Sequence, residues 1–262
     1  MGATRDALAG DLAPSGVLRA AINLGNPVLA RGPAAQSTGS GPTGSAPTGN
    51  EPTGVAVDIA RELGARLAVP VEFACFSAAR KSLAAMLAGD ADICFLAIEP
   101  ARAAEVAFTA PYVLIEGVFV VPENSGIATV ADVDREHVRI GVNQGSAYDL
   151  FLSRTLTRAT LVRGEDGIAL FRQQGLDVGA GIRQPVSDFV ASHPGFRLIG
   201  ERFMQIRQAL GTTRTRAPGT IEFLAAAIEQ LKASGFIADA LRRSGQDPAL
   251  VAPPAVTAPG GA

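Results

Sequence analysis

The sequence is poor in metal-ligating and aromatic side chains, with two cysteines, two histidines and no tryptophan in 262 residues. Cys75 and Cys94 stand singly inside apolar runs, and neither they nor His137 and His193 show paired ligand spacing, so no metal site and no cofactor is expected. Both cysteines read as buried thiols that fill space as small hydrophobes, with a disulfide between them as the lesser alternative. A formal net charge of -2 with interspersed signs leaves no basic stripe, which argues against nucleic acid as a partner. No apolar run approaches the roughly 18 residues of a membrane span, so no direct membrane insertion is expected. The start, MGATRDALAGDLAPSG, carries Arg5, Asp6 and Asp11 where a secretory leader would be continuously apolar, and shows no export signal.

What is present is apolar and periodic. At 47% apolar residues the chain can fill real cores, either as one large domain or as two of ordinary size. GVLRAAINLG reads as a buried strand that ends in a turn at Gly25, Asn26 and Pro27. VAVDIARELGARL repeats Ile59, Leu63 and Leu67 on one helical face. VPVEFACF follows as a strand, SAARKSLAAMLAG as a helix with Ser77 as N-cap, Leu83 and Leu87 on one face and Gly89 as stop, and DICFLAI as a third strand. Strands that alternate with helices of this length imply parallel βαβ units, because a parallel pair needs a crossover.

A second cycle begins at VRIGVNQGSAYDLFLSRTL, with Tyr148, Leu152 and Leu156 in helical register, and runs to FRLI. YVLIEGVFVVPENSG leads from the first unit into the second, and RFMQIRQALGTTR leads back. The helix of GTIEFLAAAIEQLKASG, with Ile221, Leu224, Ile228 and Leu231 on one face, follows that return. The expected organisation is an α/β chain of two lobes: residues 17–115 with 210–245 form the first, and residues 116–209 form the second, inserted within it. Residues 1–16 and 246–262 are expected to be poorly ordered ends. A low-complexity insertion at 31–54 contains three Pro-Thr-Gly triplets. Such Pro and Gly density holds neither ladder nor helix, and lengthening a surface loop costs only about 0.6 kcal/mol per doubling. It reads as a tolerated insertion rather than a flap over a cleft.

GDADICFLAIEPARAAEVAFTAPY, then VRIGVNQGSAYDLF some thirty residues later, resembles the family 3 extracellular solute-binding proteins, the amino-acid-binding components of ABC transporters with the type II periplasmic fold. The resemblance runs from about Leu18 to Ser244. It implies a cleft between two lobes, hinged on two crossover strands, that closes on a small carboxylate-bearing, amino-acid-like solute, with an ABC permease as partner and the periplasm as compartment. Arg102, six residues before Phe108 of Phe-Thr-Ala-Pro-Tyr, aligns with the family arginine that clamps the ligand carboxylate, and a guanidinium offers that group a planar fork. Gly145, Ser146 and Ala147 lie where the second lobe presents backbone N–H groups at a helix N-terminus.

The sequence also departs from the family. Relatives commonly place an aspartate for the ligand ammonium five residues after Asp177, where this chain has Ile182. Phe95, Leu96 and Ala97 stand where hydroxyls are frequent, and Asn26 and Pro27 stand in place of an aromatic lid. Glu116 and Asp177 are candidate substitutes for the missing acid, although residues so placed more often serve hinge or surface networks. Asn23 and Asn26 after the first strand, Phe76 as an apolar wall, Ala97, Gln208 in the second crossing and Arg183 as a second anion contact complete the candidate ligand set. A competing reading keeps the fold but makes it an enzyme, such as a cyclohexadienyl or arogenate dehydratase, with Glu116 as a general acid of raised pKa.

Overall fold

The computed structural model describes residues 4–32 and 51–256. The strands are β1 (Leu18–Asn23), β2 (Val71–Phe76), β3 (Ile93–Ala97), β4 (Val106–Phe108), β5 (Val113–Pro122), β6 (Arg139–Asn143), β7 (Thr160–Gly164), β8 (Val178–Ile182), β9 (Phe196–Leu198) and β10 (Met204–Thr213). The helices are α1 (Arg5–Leu12), α2 (Val55–Leu67), α3 (Ala79–Leu87), α4 (Pro100–Ala103), α5 (Ala147–Thr155), α6 (Gly167–Gln173), α7 (Arg183–Ser192), α8 (Pro218–Ala233) and α9 (Phe236–Arg243). Strand order is β2-β1-β3-β10-β5-β8-β6-β7, with β4 on β10 and β9 on β5.

Two parallel groups, β2-β1-β3 and β7-β6-β8, are joined through β10 and β5, which run antiparallel to each other and to the strands beside them. One end of β5 pairs with β10 from Val113 to Gly117, and the other continues against β8 and β9. The two long strands therefore belong to both halves, which gives the α/β fold its two-lobed form with two crossing strands.

Continuous apolar runs account for the central strands: every residue of β3 is buried, and β5 is buried from Gly117 through Val121. On α2 the residues Ile59, Leu63 and Leu67 face the core, as their spacing predicts. On α3 the buried face is instead Ser82, Ala85 and Met86, while Leu87 is exposed. The helix begins one residue later than expected: Ala78 is its N-cap, without a side-chain cap bond, and Ser82 donates to the carbonyl of Ala21 on β1.

The described parts of both ends, residues 4–16 and 246–256, are more ordered than their composition suggests. α1 is capped by Thr4, buries Leu8 and Leu12, and packs on α2 and α8. After α9 the chain turns back: Val251 bridges Val113, the Ala252 amide donates to the Tyr112 carbonyl at 3.0 Å, and Lys232 Nζ donates to the Pro253 carbonyl at 2.9 Å. Residues 246–256 are thus tied to the base of β5, while 257–262 lie outside the described residues. The Pro-Thr-Gly tract lies largely outside them too; its described flanks pair Arg31 with Thr53. Cys94 is buried in β3, its thiol pushed up to about 12 by burial. Cys75 is exposed rather than buried, because β2 is an edge strand paired on one side only.

Candidate functional site

Parallel strands of an open α/β sheet deliver their carboxyl ends to a crevice where ligands bind. Here both parallel groups do so around one cavity of about 50 Å³. The first lobe contributes Asn23 at the end of β1, Asn26 after it, Ser77 after β2, Leu96 and Ala97 at the end of β3, and Arg102 on α4. The second contributes Asn143, Gln144, Ser146, Ala147 and Tyr148 where β6 enters α5, Glu165 after β7, and Ile182 at the end of β8, while Gly145 is not on the lining. Ile206 and Gln208 of β10 form the floor.

Arg102 is 3% exposed. Pro100 opens its short helix, a position that suits proline because no N–H is needed there. The guanidinium donates from Nη1 to the Ala97 carbonyl at 3.1 Å and from Nη2 to the Gly145 carbonyl of the opposite lobe at 2.9 Å. Burial holds its pKa below the usual value, and the nearby charge of Glu99 offsets only part of that. Its hydrogen-bond partners are both neutral carbonyls. Glu99 itself is engaged by Arg154 Nη1 from α5 at 2.6 Å, and at the cavity mouth Glu165 meets Arg80 and Lys81 of α3. These contacts all join the two lobes, so the cleft is closed.

The turn into α5 is built around Gly145, whose φ of +71° lies in the left-handed region and whose absent Cβ leaves room for Arg80. Ser146 caps the helix through Oγ, accepting from the Asp149 amide at 3.1 Å, and the Asp149 carboxylate accepts from the Gly145 amide at 2.8 Å. The Ser146 amide donates to the Asn143 carbonyl. The expected ring of amides at 145–147 is therefore largely consumed by local capping. Among the described residues, the amides without a partner at this helix end are those of Ala147 and Tyr148.

The remaining candidates divide. Asn26 is buried with Oδ1 unpartnered, Gln208 is buried on the cavity floor, and Ala97 lines the wall while its carbonyl holds Arg102. Asn23 also lines the cavity, with Oδ1 accepting from the Gly25 amide as a turn former. Phe76 packs beside Ala21 and Met86 instead of lining the cavity. Asp177 precedes β8, so it lies at the amino end of that strand, away from the cleft; it accepts from the Arg139 amide.

Glu116 pairs with Gln205 in the β5–β10 register, one residue from the Ile115–Ile206 pair, so it points to the face opposite Ile206. There it is bound by Arg183 and by Arg202 Nη1 at 3.0 Å, and Arg183 also donates to the Gly200 carbonyl. Neither Glu116 nor Arg183 lines the cavity, which corrects both expected roles. Partial burial pulls the Glu116 carboxyl upward, but the hydrogen bonds and charges of Arg183 and Arg202 outweigh it and hold the group below the usual carboxylate range. That is the reverse of what a general acid at neutral pH requires. An NMR titration should give Glu116 a midpoint below that of an unpaired glutamate. The stability it contributes is present above the unfolded-state pKa and lost as pH falls through the lower folded one; a raised midpoint would contradict its pairing with Arg183 and Arg202.

Tyr148, Asn143, Gln144, Glu165, Ser77 and Ile206 line the cavity without having been named as ligand residues from the sequence. The signal that could have found most of them is position, since they sit at or just after the carboxyl ends of parallel strands.

The model of the family described as "Bacterial extracellular solute-binding proteins, family 3" matches residues 35–245. Among curated protein sequences, none matches. Solved structures do. The solute receptor for L-cysteine of Neisseria gonorrhoeae is 19% identical at a TM-score of 0.72, over 90% of this chain and 92% of that one. The amino acid ABC transporter substrate-binding protein AbpA of Streptococcus pneumoniae, bound to L-arginine, is 18% identical at 0.71, over 89% and 96%. An ancestral amino-acid-binding protein described as a precursor of cyclohexadienyl dehydratase is 17% identical at 0.68, over 88% and 95%. At these identities the likeness establishes the fold, that of type II periplasmic binding proteins.

Proposed function

The chain belongs to the bacterial extracellular solute-binding proteins, family 3, and on that premise we propose that it is the receptor of an ABC transporter for a small carboxylate-bearing solute of amino-acid size. The observation that carries this reading is Arg102, a charged fork almost wholly buried between the lobes and hydrogen-bonded only to neutral carbonyls. A buried charge with no carboxylate bonded to it among the described residues, its neighbour Glu99 being engaged by Arg154, is costly, and an anion in the adjoining cavity reduces that cost. The open Ala147 and Tyr148 amides at the start of α5 add a second, weaker anion attraction from the other lobe. A ligand held from both sides favours the closed form through its greater affinity for it, which is the population shift a receptor delivers to its permease. The family and the names of the similar structures support an extracytoplasmic place of work.

The test is a thermal-shift panel that sets small carboxylic acids against their primary amides. Binding to the folded state alone stabilises by about 2.7 kcal/mol at a hundredfold excess over Kd, enough to move Tm by several degrees. Acids that raise Tm while their amides do not support the reading. Amides that work equally well contradict it.

A further inference from the structure

We propose that the cavity selects carboxylates whose α-substituent is neutral, 2-hydroxy acids foremost, over the corresponding α-amino acids. The inference rests on the receptor reading above and narrows its ligand. It follows from the charges around the cavity. Among the described residues the lining contains one carboxylate, Glu165, which is 60% exposed at the mouth and already faces two cations, Arg80 and Lys81. The two buried carboxylates just behind the walls are matched as well: Glu99 by Arg154 at 2.6 Å and Asp149 by Arg163 at 2.9 Å. Among the described residues Arg102 has no carboxylate hydrogen-bonded to it, and Arg80 and Lys81 together already outnumber Glu165. The site therefore has an excess of positive charge that suits a ligand carboxylate, and no unmatched carboxylate for an ammonium.

The walls sharpen the distinction. Ile182 closes the carboxyl end of β8, with Leu96 and Ile206 also on the lining, and the polar side chains among them, such as Asn26, Asn143 and Gln208, are neutral, so a buried ammonium would find no counter-charge there. A desolvated ammonium needs a counter-charge, whereas a hydroxyl needs only a hydrogen-bond partner. Such a partner is present: Asn26 is 4% exposed, lines the cavity and has an unpartnered Oδ1, an acceptor suited to one neutral donor. The cavity volume, about 50 Å³, corresponds to roughly three or four waters and favours a short acid.

Calorimetry of the wild-type chain with matched pairs tests this: lactate against L-alanine, 2-hydroxyisovalerate against L-valine, and malate against L-aspartate. The expected result is a hydroxy acid that binds about 100-fold more tightly than its amino partner, the scale of an unpaired buried charge. An amino acid that binds as tightly as its hydroxy partner, or more so, overturns the inference and leaves the receptor reading standing. If no acid of either series binds, both readings fall. Ile182→Asp, which supplies the absent carboxylate, should reduce the ratio about tenfold. A folded Ile182→Asp chain with an unchanged ratio would also overturn the inference, and if that variant does not fold the wild-type pairs decide.

Discussion

Arg102→Ala is expected to weaken binding of the cognate carboxylate by about 100-fold or more, on the order of 3 kcal/mol, with little change in the thermal transition of the unliganded chain. The ligand anion would enter the same closed, desolvated cavity without its charged partner. The apoprotein, in contrast, loses a buried cation held only by the carbonyls of Ala97 and Gly145. Losing those two hydrogen bonds costs stability, losing the desolvated charge returns some, and the two effects oppose each other. Arg102→Lys keeps the charge but not the fork: a single ammonium cannot hold the Ala97 and Gly145 carbonyls and a ligand carboxylate with the same geometry, so an intermediate loss of about tenfold is expected. Because the Gly145 contact joins the lobes, Arg102→Ala should also enlarge the radius of gyration of the unliganded protein in solution scattering. Unchanged affinity in Arg102→Ala would remove the basis of the receptor reading.

How far such a site is legible in a sequence depends on whether its signal is local. The βαβ alternation was legible because central parallel strands must be apolar throughout and their crossover helices must carry one apolar face. β3 and α2 meet both conditions. The two ends were not. α1 shows only Leu8 and Leu12 as its buried stripe, and residues 246–256 are held by a bridge to Val113, by scattered bonds such as that of the Ala255 amide to the Glu229 carboxylate, and by the packing of Leu250 and Val251, which leave no periodic trace. The place of Arg102 on the cavity wall was legible because the residues from Gly89 to Tyr112 carry a motif in a fixed order. Glu116 and Arg183 were misplaced for a different reason. Nearness to a crossing strand says nothing of its face, and one residue of register separates the cleft side at Ile206 from the opposite side at Gln205. The amides of Gly145 and Ser146 were assigned to a ligand because capping partners are invisible until Asp149 and Asn143 are seen to take them.

The largest loss of stability is expected not in the cleft but at the other end of β3. Asp92 immediately precedes that strand and is fully buried. Its Oδ2 accepts from the Arg19 amide at 2.9 Å and from Arg19 Nε at 3.0 Å, and its Oδ1 accepts from Arg19 Nη2 at 2.8 Å and Arg216 Nη2 at 3.0 Å. Its backbone is tied in as well, through the Arg19 carbonyl and the Thr212 hydroxyl. One carboxylate thus fastens β1, β3 and the turn after β10, and through Arg216, which donates to the Asp11 carbonyl, it also reaches α1. Asp92→Ala leaves two guanidinium groups facing a buried void, the situation in which breaking an ion pair costs about 3–5 kcal/mol. Arg19 is 30% exposed and Arg216 17%, so solvent screens part of that and the lower end, about 3 kcal/mol, is expected. Urea unfolding should show a lower midpoint at an unchanged slope. Asp92→Asn, which keeps shape and one acceptor but not the charge, should fall between. Since β3 delivers its carboxyl end to the cleft and Asp92 sits at the amino end, ligand affinity of the folded Asp92 variants should stay within about twofold of wild type. The two variants should therefore separate along one strand: Arg102→Ala loses binding and keeps folding, while Asp92→Ala loses folding stability and keeps binding. If Asp92→Ala unfolds at the wild-type urea midpoint, the carboxylate does not hold the lobe together and the fastening belongs to the surrounding apolar core.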